Sequence, residues 1–257
     1  MALDNKVCIV TGGGSGIGEA TALRMAREGA KLVLVGRTTS KVEAVAGHIV
    51  ELGGTSRAWA LDVADHDAVF DMASEVLDSF GRIDVLVNAA GHSSRHRSLL
   101  TVTPEEIRYV LDSNLVGTIY CTQAVIPTML DAGSGTIINV SSLAGVTPGL
   151  LGGVAYSAAK AAVINFTGFL NAEFKDTGIR AGVVIPGEVD TPMIDTRPVV
   201  PTAEARATMA ATDDVAEAIT MIAMLSGRTA VPELIIRPTI MRDTSEELES
   251  RSWEAGP

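Results

Sequence analysis

Aromatic side chains are scarce in this chain. They make up 4% of its 257 residues, with two Trp, three Tyr and five Phe. A core of stacked rings is excluded, and Ala, Val, Ile and Leu must fill the interior. That suits a parallel sheet buried on both faces, whose strands read as unbroken aliphatic runs. Cysteine is nearly absent too. Cys8 and Cys121 lie in apolar segments without CxxC or Cys/His spacing, which argues against a disulfide framework or a zinc site and makes both small buried hydrophobes in a reducing compartment. Positive charge is outweighed: 20 Lys and Arg stand against 31 Asp and Glu, a net −11. A broad nucleic-acid surface is thereby excluded, though a local basic pocket is not. Long hydrophobic runs are also missing. The longest mostly apolar stretch, LVGTIYCTQAVIPTML, holds Gln123 and Pro127 and falls short of a membrane span. The opening residues MALDNKVCIV lack the basic and apolar regions of a secretory leader. The expectation is a soluble, cytoplasmic protein with no membrane or nucleic-acid partner.

What is present is alternation. Aliphatic runs at 6–10, 31–35, 57–61, 84–88, 136–140, 180–185 and 233–237 predict strands. Between them, segments 22–29, 39–52, 68–80, 104–130, 155–175 and 212–227 repeat apolar residues every three or four positions, the helical period. Strand–helix alternation with short connections means right-handed crossovers and a parallel sheet. The fold expected is α/β: a Rossmann-type doubly wound parallel sheet of about seven strands with helices on both faces. Thr103-Pro104-Glu105-Glu106 reads as a helix start, and Gly29 and Gly178 fall where helices should stop. No composition break divides the chain, so one domain over 1–257 is expected. Residues 241–257 read as a loosely held polar tail, with Trp253 able to dock on a neighbour.

The first strand runs directly into TGGGSGIG at 11–18, five glycines in seven residues. The common dinucleotide spacing G-x-G-x-x-G cannot be laid on it: from Gly12 the third glycine falls on Ile17, and from Gly14 on Glu19. The spacing is T-G-x-x-x-G-x-G, on Thr11, Gly12, Gly16 and Gly18. A strand–turn–helix of this kind turns backbone N–H groups and a helix N-terminus toward a pyrophosphate. Gly12 would permit the tight turn, Gly16 the close phosphate approach and Gly18 the packing of helix on strand.

This turn resembles the cofactor turn of the short-chain dehydrogenase/reductase family. The resemblance continues along most of the chain with LDV at 61–63, NAAG at 88–91, Asn114 in SNLVG, NVSS at 139–142, YSAAK at 156–160 and PGEVDTP at 186–192. It implies an NAD(P)-dependent oxidoreductase acting on CH–OH and C=O groups without a metal. By resemblance, Thr11, Gly12, Ser15, Gly16, Ile17 and Gly18 would hold the pyrophosphate. Asp62 and Val63 would flank the adenine, with Asn88, Ala89 and Gly91 beside it and the ribose. Pro186, Gly187 and Val189 would complete the cofactor contacts, and Thr191 would bond the nicotinamide carboxamide. Independently of the family, Asp62, Asn88, Ser142 and Pro186 each follow directly on a predicted strand, so all would line the crevice at the carboxyl edge of the sheet.

An acid closing the second strand would select NAD by bonding the ribose hydroxyls. Here that place holds Gly36, followed by Arg37, which welcomes a 2′-phosphate. NADP(H) is therefore expected over NAD(H), although Ser15, the family's other phosphate-reading position, is not basic.

Tyr156 and Lys160 are four apart in a helical segment, hence neighbours on one face. Hydride transfer to a carbonyl needs a proton donor, and a phenol titrating near ~10 is too weak an acid at neutral pH unless a cation favours its anion. Tyr156 would be the general acid and base. Lys160 would tune it and, by resemblance, bind the nicotinamide ribose. Ser142 would stabilise charge on the substrate oxygen, with Ser141 as its competitor, because adjacent strand side chains point opposite ways. By resemblance Asn114 would hold a water in a proton relay.

His92 and His96 sit in a loop-like stretch with no third ligand, so no metal is expected. Arg95, His96 and Arg97 form a positive island that either draws an anionic substrate or is a solvated loop. The stretch MIDTRPVVPTAEARATMAA reads as a mobile lid over an aliphatic pocket for a small, largely apolar ketone or alcohol. A homodimer or homotetramer through 104–131 and 155–175 is expected by resemblance. The alternative from another class is a nucleotide-binding regulatory protein without turnover.

Overall fold

Seven strands form one sheet in the computed structural model, which describes residues 1–249. The strands are β1 (Val7–Thr11), β2 (Lys31–Gly36), β3 (Thr55–Ala60), β4 (Val85–Asn88), β5 (Gly135–Val140), β6 (Ile179–Pro186) and β7 (Glu233–Ile236). Their spatial order is β3-β2-β1-β4-β5-β6-β7, and every pairing is parallel. The helices are α1 (Gly16–Arg27), α2 (Thr39–Glu51), α3 (His66–Phe80), α4 (Pro104–Leu111), α5 (Gly117–Asp131), α6 (Val154–Glu173), α7 (Ala203–Arg206), α8 (Thr212–Met224) and α9 (Ser245–Glu249). The expected strands agree with these to within two residues at each end.

Strand alternation splits the aliphatic residues into two cores. Cys8, Val10, Leu32, Leu34, Val87 and Ile138 point to one face, where Met25 of α1, Val42 and Ile49 of α2 and Ile219 of α8 cover them. Val7, Ile9, Val33, Val35, Leu86 and Ile137 point to the other, under Met72 of α3, Val125 and Met129 of α5 and Leu170 of α6. Both cysteines are buried and free. No described helix is long and apolar enough to cross a membrane.

Strand order reverses between β1 and β4, so the crevice opens above Thr11 and Asn88, which are register partners. Thr11 closes this seam. Its hydroxyl accepts the N–H groups of Ala89 and Ala90 at 3.1 and 3.0 Å.

The segment expected as one helix over 104–130 is interrupted. Residues Asp112–Val116 form a π-turn in which the Gly117 N–H bonds the Asp112 carbonyl, five residues back. The sequence explains why. Asn114 Nδ2 donates to the Val110 carbonyl at 2.8 Å, the i−4 position, and also to the His92 carbonyl at 2.9 Å. A side chain that serves the ladder in this way competes with the backbone bond. Gly117 then seats against Val63, where a β-carbon would lie 2.4 Å from Val63 Cγ2.

The start of the polar tail is not loose. Arg242 donates to both oxygens of Glu188 at 2.8 Å and also to Glu247, while Arg197 pairs with Glu188 at 2.7 Å and Glu247 at 3.4 Å. Charge pairing, invisible in a one-dimensional polar stretch, fastens α9 to the PGEVDTP loop. Trp253 and the rest of 250–257 lie outside the described residues.

Candidate active site

The glycine turn is built by close approach. Gly12 has φ +69°, and a β-carbon there would lie 2.8 Å from the Ala89 carbonyl oxygen. Gly18 meets a tighter limit, 2.2 Å from the Gly12 carbonyl oxygen, so it packs α1 onto the turn itself rather than onto the strand. Gly16 has φ +56°, and a β-carbon there would be in ordinary contact with Thr191, at 3.6 Å. Ser15 is the N-cap of α1, yet its side chain makes no capping bond, which leaves a hydroxyl and a helix N-terminus turned to the cleft. Ile17, just inside α1, packs on the core. Thr191 therefore stands over the glycine turn, and Val189, buried beside it, bridges to Ala210. Gly187 donates to the Ile236 carbonyl at 2.7 Å and fixes the end of β6 after Pro186.

The cleft beyond this turn is lined by Gly12, Ser15, Asp62, Val63, Gly91 and His92, and by three residues of the β2–α2 corner: Arg37, Thr38 and Lys41. Arg37 is held by the Tyr109 hydroxyl and lies 5.3 Å above that ring, with Asp62 at 3.9 Å. Asp62 also accepts from Ala64 N at 3.0 Å. Lys41 and Thr38 were not foreseen. Their signal was available, since Lys41 is one helical turn beyond Arg37 and Thr38 precedes the predicted helix. Thr38 is the N-cap of α2 and, like Ser15, makes no capping bond.

Asn88 does not line the cleft. Its amide turns inward to Asn139 Oδ1 at 2.9 Å and Thr122 Oγ1 at 3.3 Å, and Asn139 passes the chain to Thr167 at 2.9 Å. This buried ladder ties β4 and β5 to α5 and α6 directly under the site. A polar residue inside the aliphatic run TIINV was its sequence signal.

The four residues singled out for chemistry meet beyond Gly91. Ser142, just beyond the end of β5, neighbours the Tyr156 phenol and favours its anion, and its Oγ accepts the Ala144 N–H at 3.2 Å. Ser141 turns away and donates to the Lys160 carbonyl at 2.7 Å. Lys160, 5% exposed, donates to the Val140 carbonyl at 2.9 Å and has Nζ 5.6 Å from the Tyr156 ring centre. Burial pulls the Lys160 ammonium down to about 8. The phenol is itself pushed up by burial, against Ser142 and the charges of Arg197 and Arg97, which favour its anion. Asn114 Oδ1 and His92 Nε2 are buried without a protein partner. His92 stacks on Tyr109 at 3.9 Å between ring centres and meets Ser113 Oγ at 2.9 Å. Desolvation, with Arg37 nearby, lowers its imidazole to about 4.

The positive island of Arg95, His96 and Arg97 is broken up. Arg95 is exposed, His96 Nδ1 meets Glu106 at 2.6 Å, and Arg97 is 5% exposed. Among the described residues no group of three or more His, Cys, Asp or Glu is placed to hold a metal.

A family profile described as short chain dehydrogenase matches residues 6–198. The chain belongs to the short-chain dehydrogenase/reductase family. It is 44% identical over 190 residues to the short-chain reductase protein NovJ of Streptomyces niveus, covering 74% of this chain and 71% of that one. It is 42% identical over 195 residues to a 3-oxoacyl-[acyl-carrier-protein] reductase of Synechocystis sp., covering 76% and 78%. Among solved structures, a metagenomic short-chain oxidoreductase in complex with NADP matches with a TM-score of 0.81 at 32% identity, covering 94% of this chain and 100% of that one. The closed form of a serine dehydrogenase complexed with NADP+ matches with 0.84 at 27%, covering 92% and 96%. The chain is accordingly an NAD(P)-dependent oxidoreductase.

Proposed function

We propose that this dehydrogenase uses NADP(H) to interconvert a carbonyl and a secondary alcohol on a small, largely aliphatic substrate, with Tyr156 as general acid and base. The observation that carries this reading is the convergence of Tyr156 and the buried Lys160, whose Nζ lies 5.6 Å from the phenol ring and beside Gly91 of the glycine-lined cleft, with Ser142 next to the phenol. The fit to a dinucleotide rests on the two uncapped helix N-termini at Ser15 and Thr38, the positive φ of Gly16 and the orphaned Asn114 Oδ1. Bound there, the nicotinamide supplies or accepts the hydride.

Every other task falls to this chain. Ser142 and Tyr156 bond the substrate oxygen, and the phenol gives it a proton during reduction or removes one during oxidation. Lys160 holds the nicotinamide ribose and refills the phenol, and Asn114 Oδ1 holds a water that connects Lys160 to solvent. Thr11, Gly12, Ser15, Gly16, Ile17 and Gly18 seat the pyrophosphate, with Thr191 closing over it. Asp62, Val63 and the backbone of Asn88 to Gly91 bracket the adenosine.

The preference for NADP(H) is supported by Gly36 where an acid would stand, and by Arg37, Thr38 and Lys41 around that corner. A charge-assisted bond of ~1.5–3 kcal/mol corresponds to roughly ten- to hundredfold in affinity. Titration with NADPH and NADH, followed by fluorescence, tests this: NADPH binds at least tenfold tighter, and Arg37→Ala loses most of that margin while NADH binding changes little. Equal affinities would remove the assignment of Arg37. Tyr156→Phe keeps cofactor binding and loses turnover on ketones. If Tyr156→Phe left function untouched, the protein would be a cofactor-binding regulator instead. Assembly into a homo-oligomer through the helical segments 104–131 and 155–175 is part of the same reading, and sedimentation velocity checks it.

A further inference from the structure

Arg97 is the group that the proposed chemistry leaves unexplained. Its side chain is buried against the substrate side of the site. Nε donates to the Ser94 carbonyl at 3.2 Å, Nη2 to Ser93 Oγ at 3.3 Å, and Nη1 to the Leu151 carbonyl. Three of the five N–H donors of a guanidinium are thus used, all on neutral acceptors, and two are left. Among the described residues no carboxylate lies within ion-pair distance of Arg97; Glu106 and Glu247 act on it only from farther away. The neighbouring charges cancel among themselves, because Arg197 and Arg242 share Glu188 and Glu247.

Position makes this cation matter. The Arg97 carbonyl accepts the Val154 N–H at 3.1 Å, two residues before Tyr156. Gly153 has no room for a side chain, since its β-carbon would lie 2.9 Å from Arg97 Cα. The residue is therefore clamped to the first turn of α6, whose helix dipole is itself positive there. Burying a cation with no carboxylate in contact among the described residues, at a positive helix end, is costly, and folding alone gains little from it. A hydrocarbon side chain would pack the same loop without that penalty.

We infer that Arg97 is the counter-ion for a carboxylate carried by the substrate, so that the enzyme's natural substrates are oxo acids and their hydroxy-acid counterparts rather than neutral ketones. The two remaining N–H donors suit a carboxylate. This assignment rests on the oxidoreductase reading. Two further facts accord with it. Burial and Arg197 depress the Arg97 guanidinium to about 10, the mark of a cation in need of an anion. Arg97 also acts on the Tyr156 phenol, so an anion bound to it reaches the reacting oxygen's surroundings.

The test compares straight-chain 3-oxo acids and 2-oxo acids with their methyl esters, using NADPH and the full chain. For at least one chain length the acid should exceed its ester by about thirtyfold or more in kcat/KM, in keeping with one charge-assisted pair in a dry site. In Arg97→Gln the preference should fall to within about threefold because the acid loses far more rate than the ester; Arg97→Lys should retain part of the preference. Circular dichroism and thermal melting establish that each variant is folded. Calorimetric binding of the saturated carboxylates of the same lengths to the enzyme with NADP+ gives a readout independent of turnover: wild type binds them and Arg97→Gln does not. Esters reduced as well as acids, or Arg97→Gln slowing both alike, would overturn the carboxylate assignment and leave the oxidoreductase reading standing. Absence of turnover with every member, together with no carboxylate binding, would overturn both.

Discussion

Gly91 and Asn114 are in contact to the limit that a missing side chain allows: a β-carbon on Gly91 would sit 2.3 Å from Asn114 Oδ1 and 3.5 Å from Lys160 Nζ. The glycine at the end of β4 thus makes room for the polar end of the π-turn and for the buried lysine. Gly91→Ala should push the Asn114 amide off the Val110 and His92 carbonyls. We expect kcat to fall by about one to two orders of magnitude, as when catalytic groups are misplaced by about an ångström, with only a modest drop in Tm. Steady-state kinetics beside thermal melting checks this; an unchanged kcat would remove Asn114 from the relay.

Lys160 is costly to the fold. With its ammonium lowered from 10.5 to about 8, the unfolded chain holds a proton between those values that the folded chain lacks. Stability contributed by this group therefore rises with pH through that window, and below about 8 the whole penalty applies. Lys160→Met should raise Tm at pH 7 by a few degrees and abolish turnover. The gain should shrink as the pH approaches 10.5. A variant less stable than wild type at both pH values would make Lys160 a structural stabiliser.

His92 should stay neutral well into the acid range. Its imidazole is lowered to about 4 from 6.5, so the unfolded state takes up the extra proton first, and stability falls as pH drops from 6.5 toward 4. The His92 ring protons in an NMR titration should shift with a midpoint near 4, and His92→Gln should flatten the acid limb of the stability profile. A midpoint near 6.5 would contradict its burial against Tyr109.

Two glycines should respond oppositely to the same methyl group. In Gly18→Ala the new carbon meets the Gly12 carbonyl at 2.2 Å, so the phosphate turn must break, with loss of NADPH binding and a large fall in Tm. Gly47 lies in α2 with nothing within 4 Å; Gly47→Ala should stabilise by roughly 0.5–1 kcal/mol. Paired thermal melts distinguish specific packing at Gly18 from a general cost of replacing glycine.

Most strand positions were legible because the strand is a short aliphatic run followed by a chemically distinctive residue, as VCIV ends in Thr11 and TIINV leads to Ser142. Site residues at strand ends followed from the parallel order alone. Features made by side chains turning back on the backbone were not legible. Periodicity carried straight through Asn114, whose amide inserts into the helix ladder and opens the π-turn. Burial of single charges was equally hidden: Arg97 lies between His96 and Ser98 in a polar loop, and only its docking on Gly153 and Leu151 takes it out of water. Arg242, in the polar tail, is fixed by Glu188, 54 residues earlier. Such long-range charge pairing has no local signature.

The place of β1 in the sheet has a consequence for synthesis. β1 pairs with β2 on one flank and β4 on the other, and Thr11 waits for the N–H groups of Ala89 and Ala90. A nascent chain leaving the ribosome can lay β2 beside β1 early, yet the flank that carries the dinucleotide cradle stays open until residue 90 has emerged. The earliest-made motif of the protein is therefore among the last to acquire its shape. Nicotinamide cofactor can engage it only after the sheet has closed around its middle strand, so a stalled or truncated product would be blind to it even with its glycine turn complete.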